Sequence, residues 1–305
     1  MTDAPLSETR ASSRSQSFLG QLWGQFRRHP GGVIGCIVFV AILLAVYVLP
    51  ILHPVDPNKI NILDRNKGPS FAHPFGTDNL GHDLFAQVMA GGQVSLAVGI
   101  TAMLISLVLG TAVGVISGYY RRLDGVLMRI TDLFLALPIL PLLLVITMLF
   151  RDTLRSAFGP NTGIFLLIVT VIGITSWMHT ARIVRSDVLS VKAQEFILAA
   201  KSSGMREYRI ILRHILPNVL SSVMVSATLG IASAIITESA LSFLGLGFPS
   251  DFPTWGRLLY DGVNFLQITP ARAIWPGLMI SLTVLSVNYI GDGLRDALDP
   301  RSLKR

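Results

Sequence analysis

EFILAAKSSGMREYRIILRHILPN, Glu195 to Asn218, is the charged interruption of a chain that is otherwise largely apolar. It holds six charged side chains, a glycine at 204 and a proline at 217. Glu195 to Ser203 is composed of residues that sit comfortably in a helix, and Gly204 suits the left-handed position that stops one. In a second helical stretch, 206–216, the spacings of three and four between Tyr208, Ile211, Leu212 and Ile215 make an amphipathic face. Pro217 is expected to end or redirect that helix. The stretch therefore predicts two short helices bent at Gly204, with Ala199 and Ala200 leaving the first narrow enough for close approach by another surface. Such a hairpin also suits a layer of lipid headgroups, to which Arg206, Arg209 and Arg213 would contribute.

The flanking sequence sets its surroundings. The 305 residues are 51% hydrophobic and 14% charged, with a mean hydropathy of +0.59. Soluble domains carry about a quarter charged residues, so the balance favours an integral membrane protein. Val33–Leu52 is uncharged over the length needed to cross about 30 Å of hydrocarbon. It follows Arg27-Arg28-His29, but it is too long for a signal-peptide core and no small-residue cleavage site follows. Further uncharged stretches lie at about 94–118, 133–150, 164–181, 219–237 and 273–291. Six helical spans result, without the alternation of a barrel. Pro138 and Pro141 should kink or break the third span. Gly110, Gly114 and Gly118 form a double small-xxx-small pattern in the second, which permits close helix approach but also fits ordinary glycine use.

Lys and Arg give the orientation. With the N-terminus inside, internal segments hold 18 of the 25 basic residues and external segments hold 7. The positive-inside rule then places both termini in the cytoplasm. The net charge of +7 becomes a matter of topology, which argues against nucleic acid as partner. Residues 1–17 are Ser-rich and poor in large apolar side chains, the composition of a disordered tail. Glu195–Asn218 falls on the cytoplasmic side between spans four and five. The single cysteine, Cys36, lies in an apolar run and forbids an intrachain disulfide.

Three motifs now coincide. The hairpin's Glu195, Ala199-Ala200, Gly204, Ile210 or Ile211, His214, Leu216 and Pro217 resemble the signature loop of binding-protein-dependent ABC import permeases. The long E-x-x-x-A-A spacing is that of the dipeptide/oligopeptide branch. HPFGTDNLGHDLFAQVMAGGQVSLAVG, from His73, is similar to the H-P-x-G-T-D-x-x-G-R-D segment of the C-type permeases for dipeptides, oligopeptides and nickel. His82 stands where arginine is usual, which removes a fixed charge. TESALSFLGLGFPSDFPTWGRLL, 237–259, resembles the same branch, and the three matches together reach across about residues 18–300. Within the last stretch Gly245, Gly247 and Pro249 should end a helix, and Trp255 suits an interfacial anchor.

The resemblance implies an all-α polytopic membrane protein with six transmembrane helices, the type I importer permease fold. It divides the chain into a tail (1–17), an extra N-terminal span (18–60), an extracytoplasmic loop (61–92), a five-helix core (93–292) and a cytoplasmic tail (293–305). A coupling loop at 188–218 would lie within the core. Glu195–Gly204 would be the helix that docks on a cytoplasmic ATPase, and 206–217, with Ile211, His214, Leu216 and Pro217, the lever into span five. The implied partners are a second homologous permease, two ABC ATPase subunits, an extracytoplasmic substrate-binding protein and the lipid bilayer of the bacterial inner membrane.

The residues themselves contain no G-x-x-x-x-G-K-[ST] phosphate loop and no nucleophile–base motif. ATP and Mg would therefore belong to the ATPase partners, with no cofactor, metal or catalytic group on this chain. His73, Asp78, His82 and Asp83 are suitable metal-ligand types, but their spacing matches no compact zinc motif. A turn-rich cap with bends at Gly76 and Gly81 is the preferred reading. Glu238 lies late in span five among apolar residues, where an acid faces a cavity or a partner. A structural hydrogen bond to a neighbouring helix is expected over a contact with a peptide's amino group. The favoured cargo is a dipeptide or oligopeptide, with nickel chelates and glutathione as alternatives in the branch. A self-sufficient secondary transporter would need matched broken repeats, and a membrane hydrolase a catalytic pair; neither pattern was found in the sequence.

Overall fold

A computed structural model describes residues 18–249 and 252–298. The expected tail at 1–17 and most of that at 293–305 lie outside the described residues. Apart from an isolated bridge between Thr77 and Asp83, the described residues form helices and loops. Two helices open the chain, α1 (Phe18–Phe26) and α2 (Pro30–Leu52). An ordered loop with a short turn at Ile62–Asp64 leads to α3 (Leu84–Tyr119). Next come α4 (Arg121–Ala136), α5 (Ile139–Phe158), α6 (Pro160–Ile174) and α7 (Trp177–Lys192). The hairpin consists of α8 (Glu195–Ser202) and α9 (Glu207–Ile210), continued by a π-turn at Ile211–Ile215 into α10 (Leu216–Phe243). The chain closes with α11 (Trp255–Val263) and α12 (Ala271–Leu298).

Five stretches are long and apolar enough to cross a membrane, and the bent pair α4–α5 makes a sixth. The expected break in span three is an 88° bend at Leu137-Pro138. Pro138 is the N-cap of α5, and its ring keeps Leu137 extended. Pro141 fits within the first turn of α5, where a missing N–H costs no bond. Span four is likewise interrupted, at Thr175-Ser176 between α6 and α7.

Helix α3 is longer than its apolar run. Asp83 caps it by accepting from the Ala86 N–H at 3.0 Å, well ahead of the expected start of the span near 94. Its 36 residues reach about 54 Å at 1.5 Å per residue. The glycine pattern on α3 marks its seam with α7. A Cβ on Gly110 would lie 2.7 Å from the Trp177 carbonyl oxygen, and one on Gly114 2.7 Å from that of Ala181. At Gly118 it would lie 2.8 Å from Val188. Only glycine admits this approach, so the pattern is a packing device here.

Helix α2 lies against α12, where Gly35 meets the Ser286 carbonyl, and shows Ile37, Leu44, Ile51 and Leu52 outward. Its inner residues Ile42 and Val46 pack with Val88, Leu96, Ile235 and Trp255. A second apolar cluster sits beneath α8, joining Val115, Val184, Val188, Ile197, Ala200, Ile215 and Val219. The first cluster ties the extra span to the core; the second ties the hairpin to it.

Candidate functional site

The hairpin's joint has the geometry of a Schellman stop. Gly204 has φ +75°; its N–H donates to Lys201 O at 3.0 Å, and the Met205 N–H donates to Ala200 O at 3.2 Å. Glu195 opens α8 within the first turn, where a carboxylate complements the helix dipole. Two of the eight residues of α8, Ile197 and Ala200, turn inward. On the sequence reading, Ala199 and Ala200 together leave the helix narrow enough for close approach by another surface. Instead Ala199 is exposed and Ala200 is buried on the core, because adjacent helix positions point about 100° apart. The outward face gains large apolar groups that the sequence reading passed over: Phe196 is 44% exposed and Leu198 55%.

The lever differs from expectation too. Pro217 does not end a helix; α9, the π-turn and α10 run on as one stretch, Glu207–Phe243. A proline in a regular helix would press its ring on the carbonyl four residues back and leave it without a donor. Here the turn ahead of Pro217 is widened to i→i+5, with the Leu216 N–H donating to Ile211 O, and the chain passes Pro217 unbroken. The widening also splits the expected amphipathic face. Ile215 is buried and Ile211 partly so, whereas Tyr208 and Leu212 point outward. Leu216 packs beside Ile211 on the cluster beneath α8. The His214 ring lies 6.2 Å from that of Phe196, across the joint, and its backbone oxygen accepts from Asn218 Nδ2 at 2.6 Å.

Glu238 is fully buried near the end of α10. It accepts from Ser95 Oγ of α3 at 3.1 Å and from Ser242 Oγ at 2.7 Å. Ser95 in turn accepts from the Trp255 N–H at 3.2 Å. The expected bond to a neighbouring helix is present, and it extends to the start of α11. Trp255 is no interfacial anchor: it is 0% exposed, its Nε1 donates to Val88 O at 2.9 Å, and its ring fills the space left by Gly92. Helix α10 ends at Phe243, and Gly245 at φ +78° turns the chain, as its glycines required.

The four candidate metal residues form pairs instead. His73 Nδ1 stands 2.9 Å from Asp83 Oδ2, and His82 Nδ1 2.8 Å from Asp78 Oδ2. His53 approaches Asp83 as well, at 3.3 Å. Among the described residues, no group of three or more His, Cys, Asp or Glu is arranged to hold a metal ion. The loss of arginine at 82 does not end pairing there, since His82 holds Asp78 and Arg272 lies 3.8 Å from the same carboxylate.

Two neighbouring clefts lie between α3, α7, α10 and α12. One, of about 310 Å³, is bordered by Ser106, Ser176, His179 and Ser233; the other, of about 500 Å³, by Ser221, Ser222, Asp292 and Arg295. Ile183, Ser226 and Leu229 belong to both. The serine hydroxyls can donate to and accept from amide groups, and the charged residues Asp292 and Arg295 stand at the α12 side of the larger cleft. These serines were not singled out from the sequence, where scattered serines in apolar helices carry no spacing signal.

The family model of the binding-protein-dependent transport system inner membrane component matches residues 106–304. That of the N-terminal TM domain of oligopeptide transport permease C matches residues 17–69. The dipeptide transport system permease protein DppC of Alkalihalophilus pseudofirmus is 39% identical, covering 91% of this chain and 88% of its own. The oligopeptide transport system permease protein OppC of Bacillus subtilis is 36% identical, covering 97% and 93%. Among solved structures, an inward-facing conformation of the MetNI methionine ABC transporter matches with a TM-score of 0.55 at 16% identity. That match covers 70% of this chain and 97% of the other, and it speaks to the fold, the type I importer permease architecture. The helical bundle and the two family matches lead to one assignment: the chain belongs to the inner membrane components of binding-protein-dependent transport systems, as a multi-pass ABC transporter permease.

Proposed function

We propose that this chain forms half of the translocation pathway of an ATP-driven importer of dipeptides or oligopeptides. A second homologous permease supplies the other half, two ABC ATPase subunits dock on the hairpin, and an extracytoplasmic binding protein delivers the substrate. ATP and Mg are held by the ATPases, and the chain itself is not a catalyst. Both termini face the cytoplasm of a bacterial inner membrane.

One observation carries the coupling role: the hairpin has two faces with different owners. Ile197, Ala200 and Ile215 anchor it to α3, α7 and α10, whereas Phe196, Leu198, Tyr208 and Leu212 are presented outward. A surface of this kind transmits a push only if its joint is stiff and its lever is continuous. The hydrogen-bonded stop at Gly204 and the unbroken run from Glu207 to Phe243 supply both. The peptide reading rests on the relatives, whose names specify dipeptides and oligopeptides. The serine-bearing clefts fit such a cargo, since a peptide carries its own amide donors and acceptors.

Gly204→Val tests the coupling. No atom lies where a side chain would stand, so the strain is purely that of placing a β-branched residue at φ +75°, at least about 1–2 kcal/mol. The variant is expected to insert normally and to lose uptake. Gly204→Asn, which tolerates that conformation, is expected to keep it. Normal uptake and substrate-stimulated ATP hydrolysis in Gly204→Val would contradict the role. Purification without any ATPase, with uptake driven by an ion gradient, would favour a self-sufficient transporter.

A further inference from the structure

Where α3 ends and α4 begins, at the base of the hairpin, an open cleft of about 610 Å³ gathers four cations. Arg121 and Arg122 come from the first turn of α4, Lys192 from the last turn of α7 and Lys201 from α8. Glu207 is the one acid on its wall, so the lining carries three positive charges in excess. The two lysines converge on one ring: Lys192 Nζ lies 5.2 Å and Lys201 Nζ 5.4 Å from the Tyr119 centroid. Lys192 also donates to the Tyr119 carbonyl oxygen. Two ammonium groups held against one aromatic ring repel each other, and a bound anion relieves that repulsion.

The same cleft has an apolar exit. Leu123 lines it, and Leu123, Val126, Ile130, Leu133 and Leu137 are all exposed at spacings of three and four along α4. The opposite side of α4 is fastened to α7 by Asp124 to Arg185, at 2.6 Å through Nη2, and by Asp132 to Arg182. A cationic, tyrosine-bearing head therefore continues into a greasy track that leads away along a helix entering the apolar region. Such a shape matches a phospholipid, whose anionic head and acyl chain are joined in the same order.

We propose that this cleft binds the phosphate headgroup of an anionic phospholipid, with an acyl chain laid on the exposed stripe of α4. The proposal takes from the section above only that this end of the bundle faces the cytoplasmic leaflet. A headgroup held by Lys192 and Lys201 joins the end of α7 to α8, and so stiffens the base of the hairpin. Anionic lipid becomes a requirement for coupling rather than a passive solvent.

Phosphatidylglycerol is the probe, added to the full chain purified with its partner subunits in neutral detergent. Lipid retention is counted by native mass spectrometry, with phosphatidylcholine and inorganic phosphate as competitors. One tightly held phosphatidylglycerol per chain is expected, not displaced by either competitor. Lys192→Gln/Lys201→Gln is expected to weaken it roughly thirtyfold, about fivefold for each cation lost. Arg122→Gln, on an exposed side chain, should weaken it about fivefold, so the result does not hang on the double variant folding. Arg206→Gln/Arg209→Gln removes two hairpin cations outside the cleft and should leave retention unchanged. Equal losses in the two double variants would mean diffuse attraction to a charged surface and would overturn the site. Displacement by inorganic phosphate would also overturn it, since a soluble anion would then suffice.

Discussion

Glu238 is a carboxyl group with no cation paired to it among the described residues, enclosed by α3, α10 and the start of α11, and its two oxygens both accept from serine hydroxyls. Glu238→Gln replaces one acceptor with an amide NH₂. One serine must then turn its hydroxyl, and Ser95 already accepts from the Trp255 N–H. The exchange should cost about 1–2 kcal/mol, and Glu238→Ala about 3 kcal/mol, because it strands both hydroxyls and leaves a cavity. Thermal midpoints of the purified complex check this. If Glu238 instead met the amino group of a substrate, Gln would leave the midpoint in place and raise the KM of uptake. An acid so deep in an apolar run announces that it has partners, which is why it stood out in the sequence. Their identity was hidden, since Ser95 lies 143 residues away. Trp255 was misread for the same reason: its burial depends on the space beside Gly92, and no local pattern near 255 reports that. Gly204 was legible because a demand for positive φ has a sequence signature of its own.

Elements were legible where a single period or breaker governs them, and illegible where two effects compete. The seam between α3 and α7 has the simple kind of cause, a glycine every fourth residue, and it makes a sharp prediction. Gly114→Leu drives a side chain into the Ala181 carbonyl and Val184, where even a Cβ would be 2.7 Å away. No flexible tip is available to give way, so the helices must part. The variant should insert but lose several kcal/mol of stability, seen as rapid proteolysis and a lower thermal midpoint. Leu109→Gly, on the partly exposed flank of α3, serves as the control with a loss of about 1–2 kcal/mol. At Pro217 two rules met, the proline's missing donor and the continuity demanded by the packed face of α10, and the π-turn satisfied both. The loop between α2 and α3 adds a dependence on pH. Lys67, hydrogen-bonded to Asp64, together with the nearby His73, holds that carboxyl below its ordinary value. Because the folded value is the lower one, the contribution of Asp64 is complete above about pH 4, the unfolded carboxylate range. It is lost as pH falls further, through the folded value. Amide exchange at 61–83, after correction for intrinsic rates, should therefore show extra opening as pH falls below about 4. Asp64→Asn should abolish that acid step.

For the molecule as a whole, apolar length decided most of the architecture, because a bilayer penalises every alternative to a helix of sufficient length. Six spans were readable on that ground alone. The overshoot of α3 beyond its apolar run was not, since the cap at Asp83 and the packing of α11 against the protruding turns set it. Nor were the clefts between α3, α7, α10 and α12, which exist only once four distant segments are side by side. What the charge count predicts is a direction across the membrane, and the fold offers sites that read it without disturbing packing. Cys36, half-buried in α2, is the single cysteine, and Cys36→Ser gives a background without thiols. Gly68→Cys in that background lies in the exposed loop between α2 and α3, proposed to face outward, with nothing where its Cβ would stand. Ser202→Cys lies at the exposed end of α8, on the opposite side of the proposed membrane. A membrane-impermeant maleimide should label Gly68→Cys in intact spheroplasts and reach Ser202→Cys only after permeabilisation. Labelling at 202 should then slow when the ATPase subunits are present, because α8 is the surface they are proposed to cover. The inverse pattern would turn the chain over, placing the hairpin where no cytoplasmic ATPase can reach it.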